Sequence, residues 1–93
     1  GYERCRMPLR PLVDDALQLT RNQMPPDTAI EVDVPDALFI DVDRQRFQQV
    51  LINLLQNAAG VVGNAGRIRI AARRESLAEG EGASIAVEDN GPG

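Results

Sequence analysis

Residues 41–60, DVDRQRFQQVLINLLQNAAG, constrain the fold more than any other stretch, because they read as one long amphipathic helix. Phe47, Val50, Leu51, Leu54, Leu55 and Ala58 recur at i, i+3, i+4, i+7, i+8 and i+11. At the helical 100° per residue these six fall within about 140° of arc, a stripe that needs a cover. Arg46, Asn53, Asn57 and Gly60 run along one flank of it, which puts both amides at the border of the core. Asp41 is the expected N-cap, with Asp43 adding a negative charge to the first turn. The run 60–66, GVVGNAG, ends the helix, and Gly63 or Asn64 can take the left-handed C-cap conformation. Taken alone, the stretch fits a plain core helix with two polar flank residues as well as a helix that meets a ligand through them.

The rest of the chain supplies layers for this helix to pack on. Residues 3–9, ERCRMPL, read as a short edge strand ended by Pro8. Residues 11–22 read as a helix with Pro11 at its first position and Asp14 and Asp15 in its first turn. Its inner face is Leu12, Val13, Ala16, Leu17 and Thr20. In 29–34, AIEVDV, Ile30, Val32 and Val34 alternate with Glu31 and Asp33, the pattern of a strand with one wet face. Leu38-Phe39-Ile40 is a short apolar strand running into Asp41. Residues 67–74 and 83–89 alternate again and form an antiparallel hairpin, with 75–82 as a polar, glycine-rich loop. Two amphipathic helices and several one-sided strands imply two layers, with the helices on one face of a mixed sheet.

Composition removes several kinds of chemistry. There is no histidine, which excludes a Ser-His-Asp triad, a histidine-ligated zinc and a phosphohistidine within these 93 residues. The lone Cys5 excludes an internal disulfide and a cysteine metal cage. The net charge of −4 argues against nucleic acid as a general partner. The nearest thing to a basic patch is Arg67, Arg69, Arg73 and Arg74, and the first two read as one solvated strand face. No 18-residue apolar run is present, so no membrane contact is expected of this segment.

The chain's second signal is 88–93, EDNGPG. Asp89 is in phase with Ile85 and Val87, so its carboxylate points to the core side of the strand. A carboxylate so placed is costly unless it is paired or hydrogen-bonded, and a ligand amino group is one way to satisfy it. Gly91 and Gly93 follow at alternate positions and allow a ligand ring close to the backbone. By itself the run also fits an ordinary turn after a strand.

NLLQNA on a helix followed by EDNGPG after a strand resembles the GHKL ATPase superfamily. More narrowly, it is similar to the catalytic, ATP-binding domain of bacterial sensor histidine kinases, with residues 41–60 as the N box and 88–93 as the start of the G1 box. PLRPLVDDAL and IEVDVPD agree with that resemblance. It implies an α/β two-layer sandwich of the Bergerat type, here a single partial domain over residues 1–93, incomplete at its C-terminal side. It implies ATP and Mg²⁺, with Asn57 as the metal ligand and Asp89 accepting a hydrogen bond from the adenine amine. Gly91 and Gly93 would shape the backbone beside the base. Asn53 stands where hydrolysing members carry a glutamate that activates water. An amide cannot take a proton, which fits phosphoryl transfer to a histidine and not to water. Gly60 departs from the pattern, since many of these kinases have a phosphate-directed lysine there. The substrate histidine would lie on a separate dimerisation domain, and a response regulator would receive the phosphoryl group next. The parent would be a two-component signalling kinase, with this segment on the cytoplasmic side of the membrane. The piece alone is expected to be inactive, to bind ATP weakly or not at all, and to expose a sheet edge that favours self-association. Two alternatives share the fold: a non-catalytic interaction module, or another GHKL member such as an anti-sigma serine kinase. Asn53 disfavours a gyrase-like ATPase.

Overall fold

The computed structural model describes residues 4–62, 66–78 and 80–89. The element order is β1 (Arg4–Pro8), α1 (Leu9–Thr20), a 3₁₀ turn (Arg21–Gln23), β2 (Ala29–Asp33), β3 (Phe39–Asp43), α2 (Arg44–Val61), β4 (Arg67–Leu77) and β5 (Gly80–Asp89). The strands form two sheets among the described residues, not the single mixed sheet expected. β1 and β3 make an antiparallel ribbon, and β2, β4 and β5 make a three-stranded sheet in the order β2-β4-β5. β2 and β4 are parallel, which requires a long crossover, and β3 with α2 supplies it. β4 and β5 are an antiparallel hairpin.

The ribbon decides where both helices begin. The Leu9 N–H donates to the Leu38 carbonyl at 2.9 Å, continuing the β1–β3 pairing into the first residue of α1. α1 therefore starts at Leu9, two residues earlier than its proline suggests. Pro11 is still accommodated, because the first-turn N–H groups have no intrahelical acceptor. Asp14 and Asp15 lie past the first turn and pair instead, Asp14 with Arg10 at 3.7 Å and Asp15 with Arg44 of α2 at 3.6 Å. Asp41 is held in β3 opposite Arg6, so it cannot cap. Asp43 caps α2 in its place: its Oδ1 accepts from the backbone N–H of Gln45 at 3.1 Å and of Arg46 at 3.2 Å. The helix ends at Val61, and the Val62 N–H donates to the Ala58 carbonyl. Gly63 and Asn64, the expected C-cap candidates, lie outside the described residues.

The core lies between the two helices and the inner face of the three-stranded sheet. Leu12, Val13 and Ala16 of α1 meet Leu51, Leu55 and Ala58 of α2 over Ile68, Ile70 and Ala72 of β4, all buried. The phase of α2 differs from the expected stripe. Val50 and Leu54 are 52% and 39% exposed, whereas Gln48, Ile52 and Ala59 are half-buried. The buried arc is thus turned by about 70° from the apolar stripe, because α1 and the sheet contact the helix from that side.

The outer face of the sheet is polar, as the alternation implied. Glu31, Arg69 and Glu88 lie side by side across β2, β4 and β5. Arg69 donates to Glu31, to Asp33 at 2.6 Å and to Glu88 at 3.3 Å. The hydrogen bond to Glu31, with the charges of Glu31, Asp33 and Glu88, holds the guanidinium pKa above its ordinary value. A raised pKa on a base means that its contribution is complete below the ordinary value and is lost only as pH rises through the higher one. Salt therefore weakens Arg69's side of the cluster at any workable pH, and alkali does not.

The hairpin is longer than the sequence suggested. Glu75, Ser76 and Leu77 pair with Gly82, Glu81 and Gly80, so most of the expected 75–82 loop belongs to the strands. Glu75 and Ser76 are polar because they are exposed, not because the chain turns there.

Candidate functional site

Topology brings the two sequence signals to one end of the fold. β4 begins at Arg67, a few residues after α2 ends at Val61, and Ile68 is directly opposite Asp89 at the end of β5. The C-terminal turns of α2 and the last residue of β5 therefore share one end of the sheet. α2 and β5 are also in contact. The Ala29 N–H donates to the Gly66 carbonyl at 2.9 Å and ties β2 to the same end.

Asn53 and Asn57 are both exposed on α2. Because the helix is rotated, Val50 and Leu54 separate them from the buried arc, so they are not at the border of the core. Gln49 Nε2 donates to Asn53 Oδ1 at 3.1 Å, one helical turn away. That contact was readable from the i, i+4 spacing of a glutamine and an asparagine. Asp89 shares the inner face with its partner Ile68, as its phase implied, yet it is exposed. The strand ends there, so the carboxylate stands at the rim with water access and the expected burial penalty does not arise. Glu31, Arg67, Ile68, Arg69, Glu88 and Asp89 line a shallow hollow of about 270 Å³ at this edge. Gly91 and Gly93, the two remaining candidates, lie outside the described residues.

The roomier hollows are elsewhere. One of about 660 Å³ lies between α1 and α2, one of about 440 Å³ between the β1–β3 ribbon and the first turns of α2, one of about 390 Å³ between the ribbon and β5, and one of about 330 Å³ on the outer face of β4 and β5. None of these is lined by Asn53, Asn57 or Asp89. Among the described residues no group of three or more His, Cys, Asp or Glu is arranged to hold a metal. A single exposed amide oxygen, such as Asn57's, suits a cation that keeps waters and takes its other ligands from a substrate.

Gly60 lies inside α2, one turn beyond Asn57, and a Cβ placed there meets nothing within 4 Å. Glycine in a helix forgoes backbone rigidity and no steric reason keeps it here. Gly60→Ala is expected to raise stability by about 0.5–1 kcal/mol, read as a higher urea midpoint with unchanged slope. An unchanged or lower midpoint would contradict this placement of Gly60.

Comparison with known proteins bears on the family and the fold. Residues 42–93 match the family described as histidine kinase-, DNA gyrase B-, and HSP90-like ATPase. The C4-dicarboxylate transport sensor protein DctB of Rhizobium meliloti (strain 1021) is 40% identical over 87 residues, which is 91% of this chain and 14% of that protein. The catalytic domain of histidine kinase ThkA superposes with a TM-score of 0.74 at 27% identity, covering 97% of this chain and 61% of that one. ThkA in complex with response regulator protein TrrA matches with a TM-score of 0.73 at 28% identity, covering 98% of this chain and 27% of that one. The chain thus spans a small part of a relative's full length and about three fifths of a solved catalytic domain.

Proposed function

The chain belongs to the histidine kinase-, DNA gyrase B- and HSP90-like ATPase family, and from that membership we propose that it is part of the ATP-binding catalytic domain of a sensor histidine kinase. The observation that supports the reading is that the C-terminal half of α2, which carries Asn53 and Asn57, runs toward the end of the sheet where β5 reaches Asp89.

Each residue has one role in this reading. Asp89 accepts a hydrogen bond from the adenine exocyclic amine at the sheet rim. Gly91 and Gly93 let the base approach the backbone behind it. Asn57 supplies an amide oxygen to Mg²⁺, whose charge, when bound, offsets that of the phosphates. Asn53 cannot act as a base, so water is left unactivated on this side and the phosphoryl group goes to a histidine. That histidine belongs to a separate dimerisation domain, since this chain has none. A response regulator takes the group onward, a partnership supported by the ThkA–TrrA complex. The segment works on the cytoplasmic side of the parent kinase; among the described residues no helix is long and apolar enough to cross a membrane.

A titration of ¹⁵N-labelled chain with Mg·ATP into the millimolar range tests the reading, since even a weak site moves resonances there. Shifts are expected in the last two turns of α2 and around Asp89, and are expected to disappear in Asn57→Ala. Shifts confined to the other hollows, or none at all, would withdraw nucleotide binding from this chain and leave its family membership untouched.

A further inference from the structure

We propose that Gln49 sets the orientation of the Asn53 amide, and so decides which asparagine of α2 donates to phosphate and which ligates metal. The proposal rests on the nucleotide-site reading above and assigns a role to a residue outside both sequence signals' asparagines and aspartate. Gln49 Nε2 donates to Asn53 Oδ1 at 3.1 Å. Side chains on a helix lean toward its N-terminus, so the Asn53 carbonyl oxygen is turned back to Gln49. Its amide nitrogen is then turned away from Gln49.

With its oxygen engaged, Asn53 presents two N–H donors. Such a group fits a phosphoryl oxygen and is a poor metal ligand, because nitrogen carries the protons and the oxygen is taken. Among the described residues no hydrogen-bond partner engages the Asn57 amide, so its oxygen remains available for a hard cation. The two asparagines are chemically identical, and one glutamine a turn upstream makes them different. Gln49 touches neither phosphate nor metal in this scheme; it is a positioning residue.

The test uses side-chain amide NMR on the chain and on Gln49→Glu and Gln49→Ala. In the unmodified chain a Gln49 Nε2 proton is expected to show the hydrogen bond, while the Asn53 Nδ2 protons behave as exposed donors. Glutamate can only accept, so in Gln49→Glu the Asn53 amide is expected to turn over and an Nδ2 proton to become the bonded one. Asn53 resonances unchanged by both substitutions would overturn the proposal, whether or not nucleotide binds. In Mg·ATP titrations Gln49→Glu is expected to weaken binding about tenfold, the worth of roughly one net hydrogen bond. Gln49→Ala is expected to weaken it only about two- to threefold, a fraction of that bond. In an Asn53→Ala background Gln49→Glu is expected to cost nothing further. An equal loss in both backgrounds would mean that the glutamate acts through charge or helix stability, and would also overturn the proposal. If no Asn57-dependent binding is found, the nucleotide reading fails separately, while the amide resonances still report on Gln49.

Discussion

Leu55→Ala is expected to lower stability by about 2–5 kcal/mol, and Leu54→Ala, one position away, by less than about 1 kcal/mol. The two leucines look equivalent in the sequence, since both belong to the apolar stripe of α2. The structure separates them: Leu55 is 1% exposed and Leu54 39%. Leu55 sits where α2 crosses α1 above Ile68 and Ile70, so truncation there removes transfer free energy and leaves a cavity walled by rigid neighbours. Truncation at Leu54 removes atoms that water already reaches. For a domain of this size the larger loss is a sizeable share of the total stability, which is about 0.05–0.15 kcal/mol per residue. Urea midpoints of the two variants decide the matter. Equal losses would mean that the buried arc of α2 has been placed wrongly, and with it the exposure of Asn53 and Asn57.

Asp89→Asn is expected to weaken ATP binding by about 10- to 100-fold, the range for a hydrogen bond to a charged group. Asp89 is exposed at the strand end, so the substitution is expected to leave stability within about 0.5 kcal/mol. The sign of the specificity change is more telling than its size. A carboxylate only accepts, which suits the 6-amino group of adenine and repels the 6-oxo group of guanine. An asparagine can turn its N–H₂ outward and donate to that oxygen. The ratio of ATP to GTP affinity should therefore fall in the variant beyond what the loss of ATP binding alone explains. Competition of the two nucleotides for one site measures it. An unchanged ratio would show that Asp89 does not meet the base.

What the sequence made legible was periodicity, and what it hid was pairing between distant segments. The faces of α1 and β2 were readable because each depends on residues a few positions apart. The cap of α2 was misplaced by two residues, because the β1–β3 pairing carries Asp41 into a strand and leaves Asp43 to cap. Nothing within 41–60 reports on β1. The same ribbon moved the start of α1 from Pro11 to Leu9. The rotation of α2 was hidden for a related reason: a stripe wider than the contact it makes leaves the contacted part to be chosen by the neighbours. Most of the loop expected over 75–82 is strand, because a run of glutamates and glycines looks alike in a loop and in a solvent-facing strand. Of the candidate site, Asn53, Asn57 and Asp89 stand out in the sequence through the two motifs that carry the family resemblance, and their exposure at α2 and at the strand end is what the structure adds. Gln49 was passed over, because a glutamine one turn before an asparagine is common on helix surfaces and becomes informative only once its direction is known.

The hairpin places Asp89 far from the turn that sets its alignment. The hairpin runs over ten cross-strand pairs, with Asp89 in the one farthest from the turn, about 30 Å of strand away. A slip of one residue anywhere along that length would exchange the two faces, bringing Glu88 inward and turning Asp89 out. The turn alone is a poor guarantor over such a distance. The Arg69 cluster sits one rung from Asp89 and holds Glu88 on the outer face, beside Arg69. It behaves as a proofreading mark: the salt-sensitive contacts on the far side of the sheet check, next to the site, that the strand has been threaded in the right frame. Loosening them would let the alignment drift at the one place where drift changes which acid faces the helix.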